Sequence, residues 1–132
     1  MSEDRGKVSI TLDWKKNRIR ITRTVMVLLD NPPYMQLLIN PDERVLAIRA
    51  LYSKPVSFPC EKVRYEGIDE RYVELYSALL FEKFSDCFAQ FDKKVAYRVF
   101  GEVFPEQHVA VFNLLDYKEL EVLGSEVDHG TG

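Results

Sequence analysis

Cysteine is scarce in this chain: Cys60 and Cys87 are the only two in 132 residues. Two cysteines cannot build the disulfide framework of a small secreted domain. Histidine is as rare, with His108 and His129 far apart. No His-x-x-x-His or Cys-x-x-Cys spacing exists, so no metal site is expected from sequence motifs. The six glycines are dispersed, which excludes a glycine-rich phosphate loop. No serine is flanked by glycines in the manner of a hydrolase nucleophile. Apolar runs are short; Val25–Leu29 is typical and falls well below a bilayer span. The first residues, MSEDRGK, contain no apolar core, so no signal peptide is expected. These absences together predict a soluble, reduced, cytoplasmic protein with no catalytic residue, no metal and no cofactor.

Excess positive charge is also missing, since the formal net charge is −3. The charges are unevenly placed, however. Residues 1–24 carry seven cations and three anions, a net +4, which leaves −7 on the remainder. Lys15, Lys16, Arg18, Arg20 and Arg23 form the densest group. Such a cluster can bind phosphates by counterion release, or it can be the solvated face of a strand pair. The acid pairs Asp42–Glu43 and Asp69–Glu70 fall at a turn and at an expected helix start, where carboxylates are structurally favoured.

The chain holds 46% hydrophobic and 12% aromatic residues, enough for a packed core. Lys7–Trp14 and Arg18–Thr22 each alternate with period two and predict a hairpin, with Arg18 and Arg20 outward. A short helix over Val25–Leu29 follows, capped by Thr22 or Thr24 and ended by Asn31 before Pro32–Pro33. Asn40-Pro41-Asp42-Glu43 predicts a tight turn between Tyr34–Ile39 and Arg44–Leu51. Residues 53–67 read as an irregular covering loop. The spacing of Tyr72, Val73, Tyr76, Leu79, Leu80, Phe84, Cys87, Phe88 and Phe91 predicts a long helix over about residues 70–90, capped by Asp69. Cys87 is expected to pack there as a small hydrophobe. A second hairpin over Lys94–Leu114 turns at Pro105-Glu106-Gln107, and Asp116–Leu123 is expected to form a helical turn. Trp14, at a strand end, is expected to pack in the core or at its rim.

The expected fold class is therefore α+β: an antiparallel sheet of hairpins, one long helix and one short helix. A weak helix–hairpin repeat relates residues 22–51 to 70–114. Residues 1–52 form the first unit, 53–68 a linker, 69–123 a second unit packed with it as one domain, and 124–132 a disordered tail.

Arg18-Ile19-Arg20-Ile21-Thr22, Val25–Leu29, Met35–Ile39 and Val45–Ile48 resemble the strand, helix and hairpin of the AbrB/SpoVT family of bacterial transition-state regulators. The resemblance covers roughly a quarter of the chain. It implies an intertwined homodimer that places Arg18, Arg20 and Arg23 on double-stranded DNA, with Lys15 and Lys16 assisting. Asn17, Asp30-Asn31 and Pro32-Pro33-Tyr34 stand where that family usually carries glycines. The phrase Tyr34–Glu43 and the closing Phe112-Asn113-Leu114 are similar to an uncharacterised family of Gram-positive anaerobes and their mobile elements, which implies an accessory protein without a known activity.

Two functions therefore stand open: a DNA-binding regulator or accessory protein using the basic strands, and a protein–protein interaction or structural module whose cations are merely solvated. An enzyme would need a deep cleft that joins His108 to carboxylates.

Overall fold

The structure, a computed structural model, describes residues 7–66, 71–87 and 90–120. The strands are β1 (Lys7–Asp13), β2 (Arg18–Thr22), β3 (Tyr34–Asn40), β4 (Val45–Leu51), β5 (Glu61–Lys62), β6 (Tyr72–Tyr76), β7 (Ala96–Phe104) and β8 (Val109–Leu120). Helix α1 (Arg23–Leu28) follows β2, and α2 (Ala78–Cys87) follows β6. A single 3-10 turn, Pro105–Gln107, joins β7 to β8.

All eight strands belong to one antiparallel sheet, ordered β5-β3-β4-β8-β7-β1-β2-β6 and curled into a nearly closed barrel. The β7–β8 hairpin sits in the middle. It pairs on one side with β4 and on the other with β1. The two units and the linker expected from the sequence share one continuous sheet: residues of the first unit pair with residues of the second across both sides of that hairpin. Inward positions alternate along each strand, so Ile10, Leu12, Ile19, Ile21, Leu46, Ile48, Val99 and Phe112 are buried together in the interior.

The α+β expectation is overturned, because sheet dominates and the described residues contain no long helix. The helix expected over 70–90 is divided: Tyr72–Tyr76 is strand β6 and only Ala78–Cys87 is helical. The sequence Tyr72-Val73-Glu74-Leu75-Tyr76 also satisfies period two, with Val73 and Leu75 inward. The open edge of β2 gave that pattern hydrogen-bond partners that a helix would not use. Ser77 separates the two elements. Its N–H donates to Asn17 O at 2.9 Å, and its Oγ accepts from Leu80 N at 3.2 Å, starting the helix. The expected cap, Asp69, lies outside the described residues, as do the first six residues and the tail. The side chain of Cys87 and the residue Phe88 are likewise outside them, while Cys60 is free and half-buried. With its long helix divided, the helix–hairpin repeat disappears as well.

Three smaller corrections follow the same logic. Asp116–Leu120 is the end of β8 and not a helical turn, because Tyr117–Leu120 pair with Ala96–Val99 of β7; residues 121–123 of the expected turn lie outside the described residues. The covering loop contributes the two-residue strand β5, paired with β3. Thr22 does occupy the position before α1, but its hydroxyl donates to Ser9 O at 3.2 Å instead of capping the helix. The turns were legible in the sequence. Asn17 and Asn31 take left-handed φ values of 49° and 47°, and Asn40 Oδ1 accepts from Asp42 N and Glu43 N, both at 3.1 Å.

Aromatic packing covers the end of the barrel where β1 finishes and β7 begins. Trp14, which is buried, meets the rings of Phe81 and Phe91 at 5.0 Å, Phe84 at 5.8 Å and Tyr97 at 5.9 Å. Its indole N–H donates to Ser85 Oγ at 3.1 Å and so ties α2 to β1. The seam between the two edge strands is spanned from α1. Arg23 donates from Nε to Tyr72 O at 3.4 Å and from Nη2 to Tyr65 O, and its guanidinium lies 5.5 Å from the Tyr65 ring. Tyr65 in turn donates its hydroxyl to Pro32 O at 2.6 Å. Burial pushes this phenol up to about 12, although the Arg23 charge pulls it down.

Candidate functional site

The five basic residues that the sequence singled out are not equivalent in the fold. Arg18 and Arg20 project from the outer face of β2, because Ile19 and Ile21 take the inward positions. Register places Asp13 of β1 opposite Arg18, and Glu74 of β6 opposite Arg20. Arg20 Nε donates to Glu74 Oε2 at 2.8 Å. Arg18 bonds Asp13 Oδ2 at 3.2 Å and lies 3.7 Å from Glu74 Oε2. Tyr76 adds a hydroxyl donor to Glu74 Oε1 at 3.0 Å. The Arg20 guanidinium also lies 5.2 Å from the Tyr72 ring. Two arginines thus share two carboxylates, and their field is largely neutralised at its source. Arg23 is occupied with the seam carbonyls. Lys15 and Lys16, on the β1–β2 turn, are exposed, and their ammonium groups make no ion pair among the described residues.

Burial alone would raise the Glu74 carboxyl, but hydrogen bonds from Arg20 and Tyr76, and the charges of Arg20 and Arg18, outweigh it and hold the group below its ordinary 4.5. A depressed folded value means that the contribution to stability is complete above 4.5 and is lost as pH falls through the folded value. Glu74→Gln is therefore expected to cost under about 1 kcal/mol at neutral pH, since the pair is partly solvated. It should also flatten the decline in stability below pH 4.5. Urea midpoints of both proteins at pH 7 and pH 3 test this; parallel declines would remove Glu74 from the acid response.

His108 does not sit in a cleft. It follows the 3-10 turn at φ 58°, exposed, with Nδ1 3.3 Å from the Tyr52 hydroxyl. That hydroxyl donates to Leu29 O at 2.5 Å. Burial and the charge of Asp30 raise the Tyr52 phenol above its ordinary value. No group of three or more His, Cys, Asp or Glu side chains suited to a metal gathers among the described residues.

A second feature, a groove on the outer face between β7 and β8, was not foreshadowed by any sequence pattern. Its volume is about 340 Å³, and it is lined by Phe100, Gly101, Glu102, Phe104, Val111, Asn113 and Asp116. It arises from a bulge. Val99 pairs with Tyr117 while Gly101 pairs with Phe112, so Phe100 alone faces residues 113–116 of the other strand. Several contacts set the bulge. Asn113 Oδ1 accepts from Leu115 N at 2.9 Å, Leu114 N donates to Arg44 O at 2.9 Å, and Gly101 lets the backbones approach. Phe100, Glu102 and Phe104 alternate along β7 and so share the outer face. Leu38, Ala47 and Val111 continue that face sideways as a cross-strand row, since Leu38 pairs with Ala47 and Ala47 with Val111. Leu38 and Phe104 are exposed, and Ala47 and Val111 partly so. The alternation Phe-x-Glu-x-Phe was visible in the sequence, but the bulge that makes it concave was not.

Comparison with known proteins found no matching family model, no matching curated protein and no matching solved structure.

Proposed function

We propose that this chain is a non-enzymatic, cytosolic protein–protein interaction module, and that its docking surface is the outer face of β4, β8 and β7 around the groove. The observation that carries the reading is the pairing of Arg18 and Arg20 with Asp13 and Glu74. Those arginines are spent within the fold, whereas the opposite half of the outer face leaves Leu38, Phe104 and Leu115 open to solvent. Fluorescence anisotropy with labelled mixed-sequence duplex DNA, from low to physiological salt, separates this reading from the regulator. The module is expected to leave the duplex free at physiological salt. Salt-sensitive binding whose slope falls by roughly one unit per arginine removed in Arg18→Ala with Arg20→Ala would overturn it.

A second reading, a dimeric DNA-binding regulator similar to the AbrB/SpoVT family, draws on a different observation. Lys15 and Lys16 at the hairpin tip make no ion pair among the described residues, and Arg98 and Lys118 stand opposite each other on the same outer face. In this reading Arg18, Arg20 and Arg23 would have to exchange their present partners for phosphates. A photo-crosslinking residue at Phe104 or at Lys15 distinguishes the two in cells. Protein adducts at Phe104 support the module, and nucleic-acid adducts at Lys15 support the regulator.

A further inference from the structure

We infer that the groove between β7 and β8 accepts a basic side chain, an arginine, from an extended segment of the partner protein. The inference rests on the interaction-module reading and deepens it.

The groove joins three kinds of surface in one place. Phe100 and Phe104 provide aromatic walls, Glu102 and Asp116 carboxylates, and Asn113 an amide. Alternate residues on one strand lie about 6.8 Å apart, so Glu102 stands between the two rings along β7. Asp116 approaches from the bulge of β8, where four residues oppose one and no cross-strand partner is assigned to it. The amide oxygen of Asn113 is already engaged by Leu115 N–H, which fixes the side chain. None of the described lining residues is basic. Lys7 does stand opposite Glu102 in the β1–β7 ladder, so among the described residues Asp116 is the carboxylate with no cation placed across from it.

That combination selects a ligand chemistry. Two carboxylates repel anions and leave a neutral apolar group without compensation for their desolvation. A planar guanidinium satisfies a carboxylate through paired N–H donors and can lie against an aromatic face at the same time. A volume of about 340 Å³ admits such a side chain but not a folded element. The flanking row Leu38, Ala47 and Val111 then meets the apolar neighbours of the inserted residue, which favours a protein segment over a free cation.

The bulge rests on a close approach of two backbones. A Cβ on Gly101 would lie 2.1 Å from Val111 O, so the close strand approach depends on glycine there. The carboxylates are exposed and outside the core. Charge-neutral replacements can therefore remove the recognition chemistry while leaving the fold in place.

The test is a titration of the isotopically labelled 132-residue chain, followed by amide NMR shifts. Three probes are used: the peptide acetyl-Leu-Arg-Val-amide, the same peptide with citrulline for arginine, and spermidine. The arginine peptide is expected to shift the amides of Phe100, Gly101, Glu102, Val111 and Asn113 selectively. The citrulline peptide should bind at least tenfold more weakly. Glu102→Gln with Asp116→Asn should weaken the arginine peptide at least tenfold while leaving distant amide shifts unchanged. Equal binding of the citrulline peptide, or shifts scattered over other acidic surfaces, would defeat the arginine assignment. Spermidine binding as tight as the peptide would defeat the protein source. Each of those results leaves the DNA comparison unaffected, so failure of this site is distinguishable from failure of the module reading.

Discussion

Replacing Trp14 by alanine is expected to remove about 3–5 kcal/mol of stability, as for other large-to-small changes at buried aromatic positions. Trp14 is the hub of one barrel end: it touches Phe81, Phe84, Phe91 and Tyr97, and its N–H holds Ser85 of α2. Alanine would leave a void bordered by rings that cannot collapse independently, because Phe91 also packs on Tyr97 at 4.8 Å and on Tyr117 at 5.3 Å. Trp14→Phe keeps most of the volume and loses the hydrogen bond, so its cost should be nearer to about 1.5 kcal/mol. Urea unfolding followed by far-ultraviolet circular dichroism measures both without relying on tryptophan emission. A loss under about 1 kcal/mol for the alanine variant would show that α2 is not anchored through this residue.

Gly101→Ala should be nearly as damaging, for the opposite reason. The added methyl would meet Val111 O at 2.1 Å, the Phe112 ring at 2.7 Å and Phe112 Cα at 2.8 Å. A ring edge can rotate aside, but two of those atoms are backbone in a paired strand. The β7–β8 pair would have to separate or shift register at the bulge. Overpacking of this kind costs about 1–3 kcal/mol, and more where backbone must move. A lowered urea midpoint is expected, together with large amide shifts through Phe112–Asp116 and loss of the groove. An unchanged midpoint would mean that the two strands are looser here than the pairing implies.

Sequence patterns reached the parts of this fold that depend on neighbours along the chain. Alternation in Lys7–Trp14 and Arg18–Thr22 identified two strands and their buried sides, a hairpin was expected over Lys94–Leu114, and Asn17, Asn31 and Asn40 identified turns. The pattern failed where two periods coincide. Val73, Tyr76 and Leu80 fit a helical stripe, while Val73 and Leu75 fit a strand; only the open edge of β2, about fifty residues earlier, decides between them. The site was hidden for the same reason. That Arg18 and Arg20 face outward was legible, but the carboxylate that neutralises Arg20 is Glu74, which arrives through that same β2–β6 pairing. Closure into a barrel was likewise not readable, because it requires β7 and β8 to enter between hairpins formed much earlier in the chain.

That central position of the β7–β8 hairpin governs what happens during synthesis. As the chain leaves the ribosome, the β1–β2 and β3–β4 hairpins come first, and each has an edge whose native neighbour has not yet been made. The edge of β1 waits for β7, and the edge of β4 waits for β8. Lys7 cannot meet Glu102 until almost a hundred residues have been added. Pairing over such separations is slow, and uncovered strand edges invite association with other chains. The protein is therefore most vulnerable to aggregation before its last hairpin emerges, and truncations that remove β8 should be recovered as insoluble material, not as a smaller folded sheet.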